Sequence, residues 1–278
     1  MNDLLRSHAP ISDAAWREID DQAKKTLKLT LAARKLVDFS GPKGWAHSAV
    51  SLGRVKPLAT PPGDGIEARI RQVQPLVELR VPFELSRDEL EAVGRGSRDP
   101  DLEPVVDAAR TIAIAENSIV FHGYGAGLIQ GIAQAAEAAT LTLTEEFERY
   151  PVVVGEALSV LRKAGIDGPY GIALGPRCYA GLTETVTSGG YRVFDHVKRL
   201  LDGPIVWAQG VDGAVVLSLR GGDFTLTVGQ DLSIGYLDHT AKSVRLYIQE
   251  SLTFRVLEAE AAVPLAYGAG AKAKRGGR

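Results

Sequence analysis

The stretch of sequence that decides the fold lies near the carboxyl end of the chain. It reads Arg220-Gly-Gly-Asp-Phe-Thr-Leu-Thr-Val-Gly-Gln-Asp-Leu-Ser-Ile-Gly-Tyr236, and Val244-Arg-Leu-Tyr-Ile-Gln-Glu-Ser-Leu-Thr-Phe254 follows it. The Gly-Gly-Asp sequence at 221–223 is typical of a turn between two strands. We therefore expect strands on both sides of this turn, with a further long strand after them.

The long strand carries a clear alternation. Between Ser243 and Leu257, apolar residues occupy the even positions, and most odd positions are polar. Successive side chains of a strand point to opposite faces of its sheet, so the pattern predicts a sheet with one buried face. Tyr247 and Glu250 interrupt the alternation. A carboxylate on an apolar face is expected to be paired or to lie near an interface.

Several separated segments, together with this stretch, resemble the encapsulins, which are bacterial shell proteins built on the major capsid fold of tailed bacteriophages. The segments are His8–Ile11, Ala15–Asp20, Arg34–Asp38 with Gly41-Pro42, Glu78–Phe83, Arg95–Ser97, Gly165–Tyr170 and Gly190-Tyr191. They follow the family's order and cover roughly residues 1–267. The resemblance implies an α+β chain of the Hong Kong 97-type, with a peripheral domain, an axial domain and an extended loop. It also implies a function in assembly, not in catalysis.

The amino-terminal region, residues 1–48, is expected to open the peripheral domain with an amphipathic helix. Ser12 is a suitable N-cap, and apolar residues recur every three or four positions from Trp16 to Leu31. This spacing predicts a helix over 13–35. The sequence alone leaves open a helix that packs on its own domain; the resemblance places it on the inside of a shell.

Residues 49–80 predict a long two-stranded arm. Half-alternating apolar runs lie on either side of the turn Thr60-Pro-Pro-Gly-Asp-Gly65. An isolated hairpin is marginally stable in water, so an arm of this length has to lie against something else. In the capsid fold, the corresponding extended loop reaches onto a neighbouring subunit.

Residues 81–131 predict two helices, which the resemblance assigns to the peripheral domain. Ser86–Glu89 has the sequence of a capping box, with Leu85 and Leu90 placed as a hydrophobic staple. A second helix is predicted from about Leu102 to Phe121. Its apolar stripe includes Glu116, and it resembles the spine helix of the capsid fold.

The rest of the chain is divided by the resemblance into three parts. Residues 132–220 are assigned to the axial domain, with helices predicted at 152–164, 177–186 and 193–201 and strands at 170–174, 204–208 and 214–219. Residues 221–267 are expected to return to the peripheral domain as strands. Residues 268–278 carry four basic groups and no bulky apolar side chain. They are expected to form a disordered basic tail, because they bury too little surface to order themselves.

Composition limits the classes of function. The 278 residues are 45% hydrophobic and 24% charged, as in ordinary soluble globular proteins. A net charge of −2 gives no reason to expect nucleic acid or an anionic membrane as a partner. The single cysteine, Cys178, excludes an intrachain disulfide and fits a reducing compartment. With no secretory signal pattern and no apolar run long enough to span a bilayer, the expected location is cytoplasmic.

Motifs for catalysis and for cofactors are not found. The cluster Gly123-x-Gly125-x-Gly127 follows a predicted helix and has Leu128 where a dinucleotide fingerprint needs glycine. The histidines are scattered without metal-ligand spacing, so no metal is expected. Cys178 lacks a motif for a catalytic partner and is expected to be an inert buried thiol. We therefore expect no catalytic residue and no cofactor.

The resemblance implies two binding surfaces. The first is a groove between the amino-terminal helix and the peripheral domain, where the terminal peptide of a cargo enzyme docks. Its matching positions are Leu27, Leu31, Arg34, Val37, Asp38, Leu232, Ile234 and Ile248. The alternative is that the aliphatic residues among them are plain core. The second is the loop Thr187–Tyr191, whose residues Ser188, Gly189, Gly190 and Tyr191 are expected to rim a five-fold pore. An ordinary turn is the alternative there.

The expected function is a self-assembling icosahedral shell that encloses a cargo enzyme, a dye-decolourising peroxidase or a ferritin-like protein in this family. The partners of the chain are then other copies of itself and the cargo enzyme. The expected biological role of the shell is in oxidative stress or iron storage. A protease or bacteriocin is an alternative, but a protease needs a nucleophile and a base that the sequence does not offer. A true phage capsid protein is a second alternative. It is disfavoured because we expect this chain to lack the extended prohead segment and the scaffold region of such proteins.

Overall fold

A computed structural model describes residues 4–187 and 189–268. Within them the helices are α1 (Asp13–Thr30), α2 (Arg87–Gly94), α3 (Glu103–His122), α4 (Ile132–Ala135), α5 (Tyr150–Lys163), α6 (Pro176–Glu184) and α7 (Val193–Leu201). The strands are β1 (Asp38–Ser40), β2 (Ala49–Pro57), β3 (Arg69–Pro75), β4 (Val77–Ser86), β5 (Leu141–Leu143), β6 (Tyr170–Leu174), β7 (Ile205–Trp207), β8 (Ala214–Ser218), β9 (Phe224–Val228), β10 (Ser233–His239), β11 (Ser243–Val256) and β12 (Ala262–Tyr267). None of the helices in this part of the chain combines the length and the apolar character that a bilayer crossing requires.

The first sheet is built around β11, the long strand that the sequence predicts. β4 pairs antiparallel along one side of β11, while β10 and β9 pair with successive parts of the other side. β1 pairs parallel to β9 and completes the sheet. The predicted turn is confirmed, since Gly221 and Gly222 have φ of 83° and 87°, values that favour glycine, and lie between β8 and β9.

The expectation of one buried face on this sheet is wrong for the centre of β11. Tyr247, Gln249 and Thr253, all at odd positions, are buried as well. The second face is covered by long side chains of neighbouring segments. The guanidinium of Arg80 lies 4.2 Å from the ring centre of Tyr247 and donates to Gln249 Oε1 at 2.7 Å. Tyr247 and Gln249 thus have partners within the fold, whereas Thr253 Oγ1 has no hydrogen-bond partner among the described residues.

The second sheet has the strand order β5-β12-β8-β6-β7. The predicted helices and strands of 132–220 are confirmed as α5, α6, α7, β6, β7 and β8. The last strand differs from the expectation for 221–267. β12 pairs with β5 and β8 of the second sheet, because its apolar residues, from Ala262 to Leu265, bury in the core of that sheet.

Two hydrophobic clusters fill the interior. The first core lies between α1, α2, the amino-terminal part of α3 and the strands β4, β10 and β11. The second core lies around the second sheet and continues under β9 and the end of β11. α3 contributes to both, with Val105 to Ile112 in the first core and Ile119 to Phe121 in the second. The predicted apolar stripe of this helix is confirmed, including a fully buried Glu116.

Two predicted helix ends are corrected. α1 ends at Thr30, not near residue 35, because Leu31 leaves the helical conformation with ψ of 99°. The capping box at Ser86 is not formed: Ser86 is paired with Ser243 as the last residue of β4, and Glu89 accepts from the Asp101 amide at 2.9 Å instead. The staple residues Leu85 and Leu90 are both buried in the first core, as predicted.

The predicted arm is confirmed as an antiparallel pair of β2 and β3, with a register shift between Ser51 and Val55. Residues 77–80, which the prediction included, belong to β4. Five large apolar side chains of the arm are exposed by 47% to 53%; they are Val55, Leu58, Ile66, Ile70 and Val73. In the isolated chain the arm therefore keeps much of its apolar surface in water. Of the expected basic tail 268–278, residues 269–278 lie outside the described part of the chain.

Candidate functional site

A groove lies between α1 and the outer part of the first sheet. Four of the predicted peptide-binding residues line it: Leu27 from α1, and Leu232, Ile234 and Ile248 from the sheet side. Its volume is about 240 Å³. Ile234 and Ile248 are 5% and 1% exposed and belong to the first core, so they form the floor. Leu27 and Leu232 are partly buried and form the sides.

The structure does not bring Val37 and Asp38 into this groove. Both line a separate pocket of about 180 Å³ beside Ser218 and Asp223, at the start of β1 and β9. Asp38 accepts a hydrogen bond from the Gly222 amide at 2.6 Å. Its carboxylate therefore holds the turn before β9.

Arg34 lies just after α1 and is held by carboxylates of three other elements. Its guanidinium donates to Glu116 Oε2 and Asp231 Oδ1, both at 2.7 Å, and to Glu250 Oε2 at 3.1 Å. We call Arg34, Glu116, Asp231 and Glu250 the acid cluster. The sequence pattern predicts an ionic partner for Glu250, and this partner is Arg34. These carboxylates neutralise the positive charge of Arg34, and Arg34 does not form an ion pair with Asp38.

The acid cluster holds more carboxyl groups than cations. Glu116 and Glu250 are completely buried, and their Oε1 atoms have no hydrogen-bond donor among the described residues. Burial, and then the charge of Glu116, raise the pKa of Glu250 well above its ordinary value, while Arg34 opposes this shift. Glu250 therefore retains a proton well above its usual pH range, and a carboxyl proton can satisfy the Glu116 side chain.

Asn117 fixes the end of α1, and the sequence prediction missed it. Its Oδ1 accepts from the amides of Ala32 and Ala33 at 2.9 and 3.1 Å, and its Nδ2 donates to the carbonyls of Thr30 and Gln209 at 2.9 and 3.0 Å. The side chain is completely buried. A signal was present, because Asn117 follows Glu116 in a helix that is otherwise largely apolar. Leu31 lies at this break in the chain and is partly buried.

The predicted pore loop is a tight turn between α6 and α7. Thr187 N donates to the Tyr191 carbonyl at 2.8 Å, and Val186 pairs with Arg192 just outside the turn. Gly190 has φ of 80°, which favours glycine, and Tyr191 is 63% exposed. Ser188 lies outside the described residues. The turn holds Tyr191 outward at the end of the second sheet's layer of helices.

A further feature is the placement of the possible metal ligands and of the cysteine among the described residues. Among the described residues, no group of His, Cys, Asp and Glu side chains is placed to hold a metal ion. Cys178 is buried between the hydroxyls of Tyr150 and Tyr267, and burial raises the pKa of its thiol. This environment suits an unreactive thiol.

Comparisons with known proteins agree with this geometry. The model of a protein family described as “Encapsulating protein for peroxidase” matches residues 1–253. The type 1 encapsulin shell protein of Rhodospirillum rubrum is 57% identical over 270 residues, which are 95% of this chain and 96% of the relative. That of Mycobacterium tuberculosis is 47% identical over 267 residues, 96% of this chain and 100% of the relative.

Solved structures show the fold. A virus-like particle from Pyrococcus furiosus superposes with a TM-score of 0.63 at 17% identity, over 89% of this chain and 98% of that chain. The α+β architecture is thus the capsid fold of the Hong Kong 97-type that the sequence predicts. The relatives are named for a structural role, that of a shell, and not for an enzymatic activity. With its family model, its relatives and its fold in agreement, the chain belongs to the type 1 encapsulin shell proteins.

Proposed function

We propose that copies of this chain assemble into a closed icosahedral particle whose inner surface holds a cargo enzyme. The arm of β2 and β3 carries this proposal. It exposes apolar side chains such as Val55, Ile70 and Val73 by about half. A two-stranded hairpin does not gain enough stability by itself, so a neighbouring copy is the natural cover for this surface.

Light scattering of the purified chain tests assembly directly. We expect a particle of megadalton mass, because closed shells with large interfaces persist at micromolar concentration. A stable monomer or dimer of 29.7 kDa subunits would contradict the proposal.

Cargo docking is the second part of the proposal. The groove offers an apolar floor of Ile234 and Ile248 between two rigid walls, and extended peptides bind such surfaces through side-chain pockets. The family model's description, which names a peroxidase, favours a peroxidase as cargo. We infer that a terminal peptide of that enzyme lies along Leu27 and Leu232. Leu31 and Arg34 follow α1 and do not line the groove, so we assign them no contact with the peptide.

Substitutions on the sides of the groove test docking without breaking the core. Leu27→Asp and Leu232→Asp each place a carboxylate where an apolar contact is expected, at a cost of about 2 kcal/mol or more to the docked state. We expect intact shells that co-purify with little cargo. Leu29→Asp is the matched control, because Leu29 lies on the same helix, is 66% exposed and does not line the groove. Normal loading of both groove variants would refute this location.

The loop Thr187–Tyr191 is proposed to surround the five-fold axis. Its support is the outward position of Tyr191 and the small residues Gly189 and Gly190, which permit close approach of copies. In assembled Tyr191→Cys shells, a short bis-maleimide should give a ladder of cross-linked products ending at five subunits. Native Cys178 is buried and gives little background. The same ladder from Leu29→Cys shells, or no ladder from either variant, would contradict a five-fold contact.

The finer assignments remain part of the proposal. The division into peripheral residues 81–131 and axial residues 132–220 is supported by the second sheet, whose strands come from 141–218 and from β12, which we add to the axial part. A cytoplasmic particle that handles peroxide fits the family model's description of a peroxidase-encapsulating protein.

A further inference from the structure

The amino-terminal segment lies in the proposed peptide groove. Leu4 and Arg6 line the groove together with Leu27, Leu232 and the floor residues. We call residues 4–8 the strap. It crosses from β10 to α1 ahead of the helix that carries Leu27. The strap is therefore a wall of the groove that is not anchored within a sheet or a long helix.

Two sets of contacts hold the strap. The Arg6 guanidinium donates to both carboxylate oxygens of Asp20, at 3.1 and 2.8 Å, and lies 3.9 Å from the ring centre of Trp16. The Leu4 carbonyl accepts from the Tyr236 amide at 2.8 Å. Bidentate pairs and cation–π contacts of this kind are specific in geometry. One basic side chain and one strand-like hydrogen bond are thus among the contacts that attach the strap.

The strap uses the free edge of the first sheet. β10 is the last strand on its side of the sheet, and in the described part of the chain no further strand pairs with its outer edge. An extended peptide that binds a sheet edge makes the same type of backbone bond that Leu4 makes to Tyr236. The strap and such a peptide would compete for one position.

The strap is also under backbone strain. Leu5 has φ of 51° and ψ of 23°, in the left-handed region that residues other than glycine rarely adopt. This conformation is unfavourable by itself, so the contacts of Arg6 and Leu4 maintain it. Release of the strap relieves this strain, which lowers the cost of displacement.

We propose that the strap is a removable wall of the groove, whose place beside β10 and Asp20 a cargo peptide takes; this inference rests on the proposed docking function. Arg6 occupies the carboxylate of Asp20, which is the acidic group among the groove-lining residues. Lys24 also lines the groove, but Arg6 makes the bidentate pair with Asp20. A peptide that replaces the strap is therefore favoured by a basic side chain for Asp20 and an apolar side chain near the position of Leu4. The strap sets a threshold of affinity that weak or accidental peptides do not pass.

The test uses full-length shells co-expressed with a fluorescent protein that carries Met-Asn-Asp-Leu-Leu-Arg-Ser-His, the sequence of residues 1–8, at its amino terminus. The ratio of chromophore to shell absorbance gives the number of molecules loaded. Arg6→Ala shells should load about threefold more of the tagged protein than unmodified shells, since the competing strap is weakened. Arg6→Gln is a second variant with the same expectation. Arg17→Ala removes an exposed arginine of α1 outside the groove and should load as unmodified shells do.

A substitution of the shared partner separates competition from a general loosening. Asp20→Asn releases the strap but also removes the partner for the tag's arginine, so it should not raise loading. Equal loading of Arg6→Ala and unmodified shells would overturn the proposal, as would a rise in Asp20→Asn shells equal to that in Arg6→Ala shells. Particle mass by light scattering is measured in parallel. If unmodified chains form no particles, the proposed assembly fails, which is distinct from failure of the strap.

Discussion

Arg34 shows how a residue of the predicted site acquires a different role in the structure. The sequence resemblance places it in a peptide groove, whereas its guanidinium is held by Glu116, Asp231 and Glu250. Removal of the cation would leave buried carboxylates without compensation. Arg34→Met should therefore destabilise the chain by about 3 kcal/mol or more, seen as a lower midpoint of thermal unfolding. A midpoint equal to that of the unmodified chain would contradict this account of the acid cluster.

The pH dependence of stability follows from Glu250. Burial raises its pKa in the folded chain, so the folded state holds the proton to a higher pH than the unfolded state does. Stability contributed by this group is present at low pH and is lost as the pH rises above the unfolded carboxyl's pKa. Glu250→Gln removes this loss, because the amide does not titrate.

We therefore expect Glu250→Gln shells to unfold at a higher temperature than unmodified shells at about pH 8, and at nearly the same temperature at about pH 3, below the pKa of the carboxyl in both states. Glu78→Gln is the control, since Glu78 lies in the neighbouring strand with its side chain 49% exposed. An advantage of Glu250→Gln that is equal at both pH values would show that titration is not its cause.

At the scale of single elements, the end of α1 depends on one amide. Asn117→Asp keeps the acceptor for Ala32 and Ala33 but removes the donors to Thr30 and Gln209. Leaving these buried carbonyls without donors should cost about 1–3 kcal/mol in unfolding free energy. Thermal unfolding measures the loss. Asn117→Leu removes both functions without adding a charge and should also lower the unfolding temperature; an unchanged midpoint in the Leu variant would contradict this role.

A substitution in the arm tests assembly most directly. Ile70→Asp places a carboxylate on the apolar surface that a neighbouring copy is proposed to cover, at a cost of about 2 kcal/mol or more for each contact. We expect particles to give way to small oligomers in light scattering. Leu29→Asp is again the matched change of an exposed aliphatic residue, and its particles should form normally.

Local pattern predicts most elements of the chain but not their ends. Periodicity identifies α1, α3, α5 and β11 because each repeats its apolar positions over many residues. It places the end of α1 several residues too far, because the partner that ends the helix, Asn117, is 84 to 87 positions away in the sequence. The capping box predicted at Ser86 fails for a similar reason, because no local motif reveals that Ser86 pairs with Ser243.

At the scale of the whole molecule, the sequence identifies the groove only in part. Leu27 and Ile234 are found together because the family resemblance aligns them, and both lie in or beside the first core. Val37 and Asp38 follow α1 closely in sequence, but the break at Leu31 turns the chain toward the second pocket. The sequence does not predict the strap, because neither periodicity nor charge indicates that Arg6 pairs with Asp20.

The position of β12 has a consequence for synthesis. This strand, Ala262–Tyr267, pairs with β5 and β8, so the second sheet lacks an interior strand until residue 267 has left the ribosome. β11, at the centre of the first sheet, also comes from the last part of the chain. Neither sheet can close on a nascent chain. A folded subunit therefore arises only after residue 267 has been synthesised, because both sheets need strands from the segment 243–267.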